Sequence, residues 1–199
     1  MTTSSATNGR VPEFGRAITA LVHTHVAFLR GMNVGGHRIT NTALCDCFEG
    51  LGLQGSTAFL ASGNVVFEAK GTEAALRSRI EEGLGEALGY AVPTFIRTRA
   101  QVQAIAKRDP FAGREGVDAR GKPQVVFLAR KPSAKAAATA LALATDDDWL
   151  ALEGRELRWL PCGRLSDSEL DLAAIAKALG APTIRTHNTV VRLVAKFFA

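Results

Sequence analysis

Apolar residues occupy both parities of Val26-Ala27-Phe28-Leu29, so the run up to Arg30 predicts a strand buried on both faces. Leu44, Cys47, Phe48 and Leu51 then recur at helical spacing, with Thr40 or Asn41 as the N-cap and Gly52 just past the end. Ser56 to Ala61 and Val65 to Ala69 flank Ser62-Gly63-Asn64, a turn signal between two β-prone runs that predicts a hairpin. Thr72 can cap a second helix with the stripe Leu76, Ile80, Leu84 and Leu88, ended by Gly89. Val92 to Arg97 supplies a fourth strand. The order β-α-β-β-α-β is the split βαβ pattern of a ferredoxin-like α/β plait, in which two helices cover one face of a four-stranded antiparallel sheet.

Beyond this unit, Thr98 and Gln101 suit a capping box for a short helix carrying Val102, Ile105 and Ala106, which stops before Asp109-Pro110. Residues 112 to 123 read as a mobile basic loop. The second half then nearly repeats the first: strand Gln124 to Ala129, Ala-rich helix Ser133 to Ala144, strand Trp149 to Leu152, a turn at Gly154, strand Glu156 to Leu160. A further helix has Leu172, Ile175, Ala176 and Leu179 inward, Gly180 at its end, and Ser166 with Glu169 as its expected capping box. Where a last strand is due, Thr183 to Thr189 shows no strand pattern. A terminal helix follows with Val190, Leu193, Val194, Phe197 and Phe198 inward. The expected fold is therefore α+β: two tandem ferredoxin-like units, antiparallel sheets with helices on one face, plus a C-terminal helix. The expected division is a flexible tail over 1–23, one domain over 24–99, a helix and basic linker over 100–123, and a second domain over 124–199.

Composition narrows the class. In 199 residues, 47% hydrophobic and 22% charged, no apolar run approaches the roughly 18 residues that span a bilayer. Ala17 to Val22 is too short for a secretory core and no small-residue cleavage site follows it. Three cysteines, with Cys45 and Cys47 on different sides of a helix, fit a reducing compartment better than a disulfide framework, so a cytoplasmic location is expected. No metal site and no cofactor is implied. The net charge of +5 is concentrated: residues 97–135 hold ten Lys or Arg against Asp109, Glu115 and Asp118. Such a segment suits a solvated linker first, and nucleic acid or a phosphorylated ligand second.

Four motifs occur in order: Leu29-Arg30-Gly31-Met32-Asn33-Val34-Gly35-Gly36, Ala61-Ser62-Gly63-Asn64-Val65-Val66-Phe67, Asp109-Pro110-Phe111, and Thr183-x-Arg185-x-x-Asn188-Thr189-Val190. Together they resemble the bacterial family known as domain of unknown function 1697, over about His25 to Phe198. The resemblance implies an α/β protein built on ferredoxin-like units, and carries over neither an activity nor catalytic residues. Two positions depart from the family pattern. Thr186-His187 stands where Asn-Trp is usual before the last helix, and Asn41 where Met is common at the start of the first.

The chemistry centres on Arg30 to Gly36. Three glycines let backbone N–H groups turn toward a ligand, the following helix start adds positive potential, and Arg30 offers a fork to phosphate or carboxylate. No Gly-Lys-Ser/Thr follows, and the glycine spacing is wrong for a dinucleotide fingerprint. The same glycines serve equally as a tight crossover. Ser62-Gly63-Asn64 first reads as turn residues, and Asn188 or Thr186 as a helix cap. The sharper expectation is convergence: Arg30, Asn33, Ser62, Asn64, Arg185 and Asn188 lining one polar cleft between the units, with Gly31, Gly35 and Gly36 also expected to bind the ligand. His37 and His187 are the candidate general bases, though no triad or dyad accompanies either. Asp146-Asp147-Asp148 lacks the glycine and distal Glu of a calcium loop.

Three functions compete. The leading one is binding of a small anionic or phosphorylated ligand at the Gly-rich loop. RNA binding is the second, with Phe28 and Phe67 as stacking platforms. The third is a structural or protein-interaction role, with the loop as fold punctuation. No membrane association is expected.

Overall fold

The computed structural model describes residues 22–32, 38–117 and 120–199. In the first unit, β1 (His23–Leu29), α1 (Asn41–Gly50), β2 (Gln54–Ala58), β3 (Asn64–Ala69), α2 (Glu73–Leu88) and β4 (Thr94–Thr98) build an antiparallel sheet ordered β2-β3-β1-β4. After α3 (Arg99–Lys107) the second unit follows: β5 (Gln124–Phe127), α4 (Ala134–Leu141), β6 (Asp148–Glu153), β7 (Glu156–Pro161), α5 (Leu172–Leu179) and β8 (Thr183–Thr186), ordered β6-β7-β5-β8. Helix α6 (His187–Phe197) closes the chain. This is the tandem plait that the pattern predicts.

Local chemistry starts the helices. The side chains of Thr40, Thr72 and Ser133 accept from the backbone N–H three residues on, and Thr98 with Gln101 forms the expected capping box. Two sequence readings are corrected. The Ser166–Glu169 box does not form: α5 begins at Leu172 and Asp171 caps it, because Asp171 stands directly before the apolar stripe. The second unit also has its fourth strand. Thr183–Thr186 pairs with β5, and its Thr186 caps α6, so Asn188 lies inside the helix rather than at its cap.

Three cores result. Ala27, Leu29, Val65 and Phe67 face α1 and α2 in the first, and Val126, Leu157 and Trp159 meet α4 and α5 in the third. Between them, the helix-free faces of the two sheets join with α3 and α6 in a middle core of Val26, Phe28, Phe95, Val102, Val125, Phe127, Val190 and Leu193. Phe28 and Phe127 stack there at 4.0 Å between ring centroids. Complete burial of such aromatic pairs supplies about 1.5–3 kcal/mol per ring relative to exposure, so the two units share one interior.

Strand register reveals an internal correspondence. Phe28 faces Asn64, Phe127 faces Glu156; Val26 faces Arg97, Val125 faces Arg185. Leu29 N–H donates to Gly63 O at 2.7 Å, and Leu128 N–H to Arg155 O at 2.9 Å. Arg97 and Arg185 are thus equivalent, each one residue before the threonine that caps the next helix, and so are Asn64 and Glu156.

Candidate functional site

Alternation along β4 and β8 turns Arg97 and Arg185 to the sheet face where the units meet. Each then crosses to the other unit. Arg185 Nε donates to Asn64 Oδ1 at 2.6 Å, and Nη2 to Leu29 O at 2.7 Å, to Ser62 O at 2.5 Å and to Gly63 O at 3.2 Å. Its Nη1 donates to Thr183 Oγ1 at 2.9 Å and Ile184 O at 2.8 Å. Arg97 reaches the equivalent groups of the second unit: Nε donates to Glu156 Oε1 at 2.6 Å, and Nη2 to Leu128 O at 2.9 Å and Arg155 O at 3.2 Å, while Nη1 donates to Ile96 O of its own strand at 2.8 Å. Residue i of one unit meets residue j of the other and the reverse, the isologous form of contact found in two-fold dimers.

The two arginines differ in charge balance. Glu156 neutralises Arg97, and burial outweighs that pairing enough to lower the Arg97 pKa from its ordinary value. Arg185 has the neutral Asn64 in the corresponding place, and burial alone pushes its pKa down to about 10. It stays protonated at neutral pH. Among the described residues no carboxylate forms an ion pair with it.

The convergence expected of the motifs is therefore partial. Ser62, Asn64 and Arg185 meet directly beneath Leu29, where the Gly-rich loop begins. Asn64 is saturated, its Nδ2 donating to Phe59 O and to Ser62 Oγ, both at 2.9 Å. Every N–H of Arg185 has an internal acceptor, so Arg185 and Asn64 form a platform with Ser62 and neither of the two has a donor to spare. Arg30 and Gly31 are exposed on the loop side, Gly31 with φ of 78°. Asn33, Gly35, Gly36 and His37 lie outside the described residues. Asn188 is exposed in the first turn of α6, and no hydrogen bond among the described residues ties it to the platform.

Other candidates have structural occupations. His187 Nε2 lies 3.1 Å from Ala106 O, a bond that ties α6 to α3. Asp148 is buried and accepts from Trp159 Nε1 at 2.6 Å and Ser168 Oγ at 2.8 Å. Among the described residues no group of three or more His, Cys, Asp or Glu could hold a metal ion, and no helix is long and apolar enough to cross a membrane. Phe28 and Phe67 are fully buried, so neither can stack on a base. The basic segment is dispersed: Arg97 is buried, and Arg114 and Arg120 sandwich the Trp149 ring at 3.7 and 3.9 Å.

Sequence reasoning missed a second charged locus. Arg158 on β7, 3% exposed, and Glu153 at the end of β6 face a cleft between α3 and the β6–β7 hairpin. A single Arg in an alternating strand reads as a solvent-facing residue, and only the packing of α3 over that face shows otherwise.

The family described as Protein of unknown function (DUF1697) matches residues 22–157. Among solved structures the chain is similar to the conserved bacterial protein SP0830 from Streptococcus pneumoniae, with a TM-score of 0.71 and 17% identity over 88% of this chain and 99% of that one. That likeness concerns the fold. No curated protein matches. With the whole first plait and the second as far as the start of β7 inside the match, the chain belongs to the DUF1697 family of proteins of unknown function.

Proposed function

We propose that the protein binds a small anionic or phosphorylated ligand at the Gly-rich loop that leaves β1. One observation carries this reading: at equivalent positions Arg97 has a glutamate partner and Arg185 an asparagine. A buried cation of 8% exposure consequently sits without a counter-charge beneath the carbonyl of Leu29. In a low-dielectric interior such a charge is weakly screened, and its field extends into the loop that starts one residue later. A phosphate or carboxylate there would supply the missing negative charge. Arg30, exposed, offers the direct fork, and Gly31, Gly35, Gly36 and Asn33 the backbone and amide donors. Ser62, Asn64 and Arg185 act from below, through the field and by holding the loop's root.

Thermal unfolding with inorganic pyrophosphate, acetyl phosphate or AMP tests this. A ligand with a Kd of about 1 mM, supplied at about 10 mM, adds about 1.4 kcal/mol, which for a chain of this size raises the midpoint by about 3–6 °C. Arg30→Gln is expected to remove the rise with pyrophosphate and acetyl phosphate, which lack an apolar body, and leave the ligand-free midpoint unchanged. No rise with any of the three anions, or a rise with pyrophosphate or acetyl phosphate that persists in Arg30→Gln, refutes the reading.

A further inference from the structure

The cleft between α3 and the β6–β7 hairpin encloses about 760 Å³. Its cationic wall includes Arg97, Arg108, Lys131 and Arg158, and its apolar wall Ile105 and Leu152. Arg158 is the unusual member. Nη2 donates to Ile105 O at 2.8 Å, but buried Nε has no hydrogen-bond partner, and the nearest carboxylate oxygen, Glu153 Oε2, stands 3.9 Å away. Glu153 turns its other oxygen to Arg108 Nε at 3.0 Å, although the Arg108 side chain is 70% exposed. Burial lowers the Arg158 pKa and Glu153 only partly restores it.

The equivalent location in the other half explains what has been opened. Register places Val66 at the position of Arg158. Phe59 N–H donates to Asn64 O, which puts Phe59 at the position of Glu153. Counting from the equivalent arginines, Ala104 of α3 corresponds to Arg192 of α6, and Arg108 to Lys196. In that half the space is filled: Phe59 is buried, with Arg192 and Lys196 over its ring at 5.9 and 5.8 Å and Phe197 at its edge. The fold therefore needs only an apolar plug here. An arginine, a glutamate and a small alanine replace it on the α3 side, leaving volume and a buried donor without a partner.

We infer that this cleft is a ligand site in its own right, for a small molecule that joins a phosphate or carboxylate to an apolar body. The anionic group takes the place beside Arg158 that Glu153 half fills, Lys131 adds charge, and the body lies along Ile105 and Leu152. Glu153 is the internal stand-in for the ligand, and it moves toward the exposed Arg108 on binding. The volume suits a molecule of mononucleotide size or smaller.

Titration of the ¹⁵N-labelled protein with phenyl phosphate, benzoate and inorganic phosphate tests the inference. Saturable shifts are expected in the amides of Ala104, Ile105 and Gly154 with phenyl phosphate and benzoate, and weaker ones with inorganic phosphate. Glu153→Gln removes the competing carboxylate and is expected to tighten phenyl phosphate by about tenfold. Ala104→Arg, at an exposed helical position, refills the space as Arg192 does and is expected to abolish binding without unfolding the protein. Arg30→Gln leaves these shifts intact, which separates this site from the loop. Shifts absent at millimolar phenyl phosphate, or an affinity unmoved by both Glu153→Gln and Ala104→Arg, overturns the inference.

Discussion

Replacing Arg185 by Met removes six hydrogen bonds, four of them between the second unit and the first, yet the expected cost is far below the sum of six bonds. Gly63 O keeps the Leu29 N–H, and Leu29 O keeps the Thr183 hydroxyl at 3.3 Å. Ser62 is exposed and its carbonyl regains water. The acceptor left stranded is Asn64 Oδ1, on a residue of 0% exposure. One orphaned buried acceptor costs about 1–3 kcal/mol, and the space that Met fills imperfectly adds about 1 kcal/mol. Against this, an unneutralised buried cation disappears, which returns part of its desolvation. The net expectation is a loss of about 2–4 kcal/mol, or about 4–16 °C in midpoint for a chain of this length. Arg185→Lys is not expected to rescue it, because one ammonium cannot reproduce the planar fork. The companion variant Asn64→Leu, alone and combined, completes a double-mutant cycle in urea. A coupling of about 1 kcal/mol or more is expected, since removing both partners strands nothing on the Arg185 side. Additivity of the two substitutions, or a loss below about 1 kcal/mol for Arg185→Met, would refute the account of Arg185 as an inter-unit latch.

Three further outcomes follow from the packing. His25 is buried with neither ring nitrogen bonded, stacked on Phe67 at 5.5 Å, and burial first and His23 second lower its pKa below 6.5, with Glu73 opposing. The folded state disfavours its protonated form, so stability should fall as pH drops through and below 6.5, by at most about 1.4 kcal/mol per pH unit, and His25→Phe should flatten that part of a urea-midpoint profile. A Cβ at Gly121 would lie 1.9 Å from Gly163 O, beside the Gly121 N–H to Pro161 O bond of 2.9 Å, so Gly121→Ala is expected to cost about 3 kcal/mol in denaturant unfolding. Trp149→Leu removes the ring held between Arg114 and Arg120, and trypsin should then cleave after those two arginines several-fold faster than in the parent protein.

The plait topology was legible because its signals are local. Threonine and serine caps, glycine turns and the 3.6-residue stripes of α1, α2 and α5 each lie within a few residues, and they point to the same architecture. Strand β8 was hidden for a physical reason. Its inward residues are Thr183 and Arg185, while Ile184 packs on the other face, so the hydrophobic pattern carries no trace of a buried edge. The acceptors that make an inward arginine tolerable are more than a hundred residues away. The motif residues Ser62, Asn64 and Arg185 do come together, as their shared membership of the family pattern suggested. What no sequence reading could supply is that they satisfy one another. The Arg158 cleft was illegible for the opposite reason: its meaning lies in the contrast with Val66 and Phe59, and that contrast exists only once strand pairing has aligned the two halves.

The reciprocal arginines bear on how such a chain can diversify. A contact in which each half offers the other the same strand end, the same hairpin mouth and the same fork is the contact that a homodimer of one plait would make with itself. In a homodimer every substitution appears twice, and an aspartate or arginine useful at one site is imposed on its mirror site as well. Joined in a single polypeptide, the halves are released from that constraint. Glu156 against Asn64, Arg158 against Val66 and Ala104 against Arg192 are three places where that freedom has been used, and all three lie along the seam.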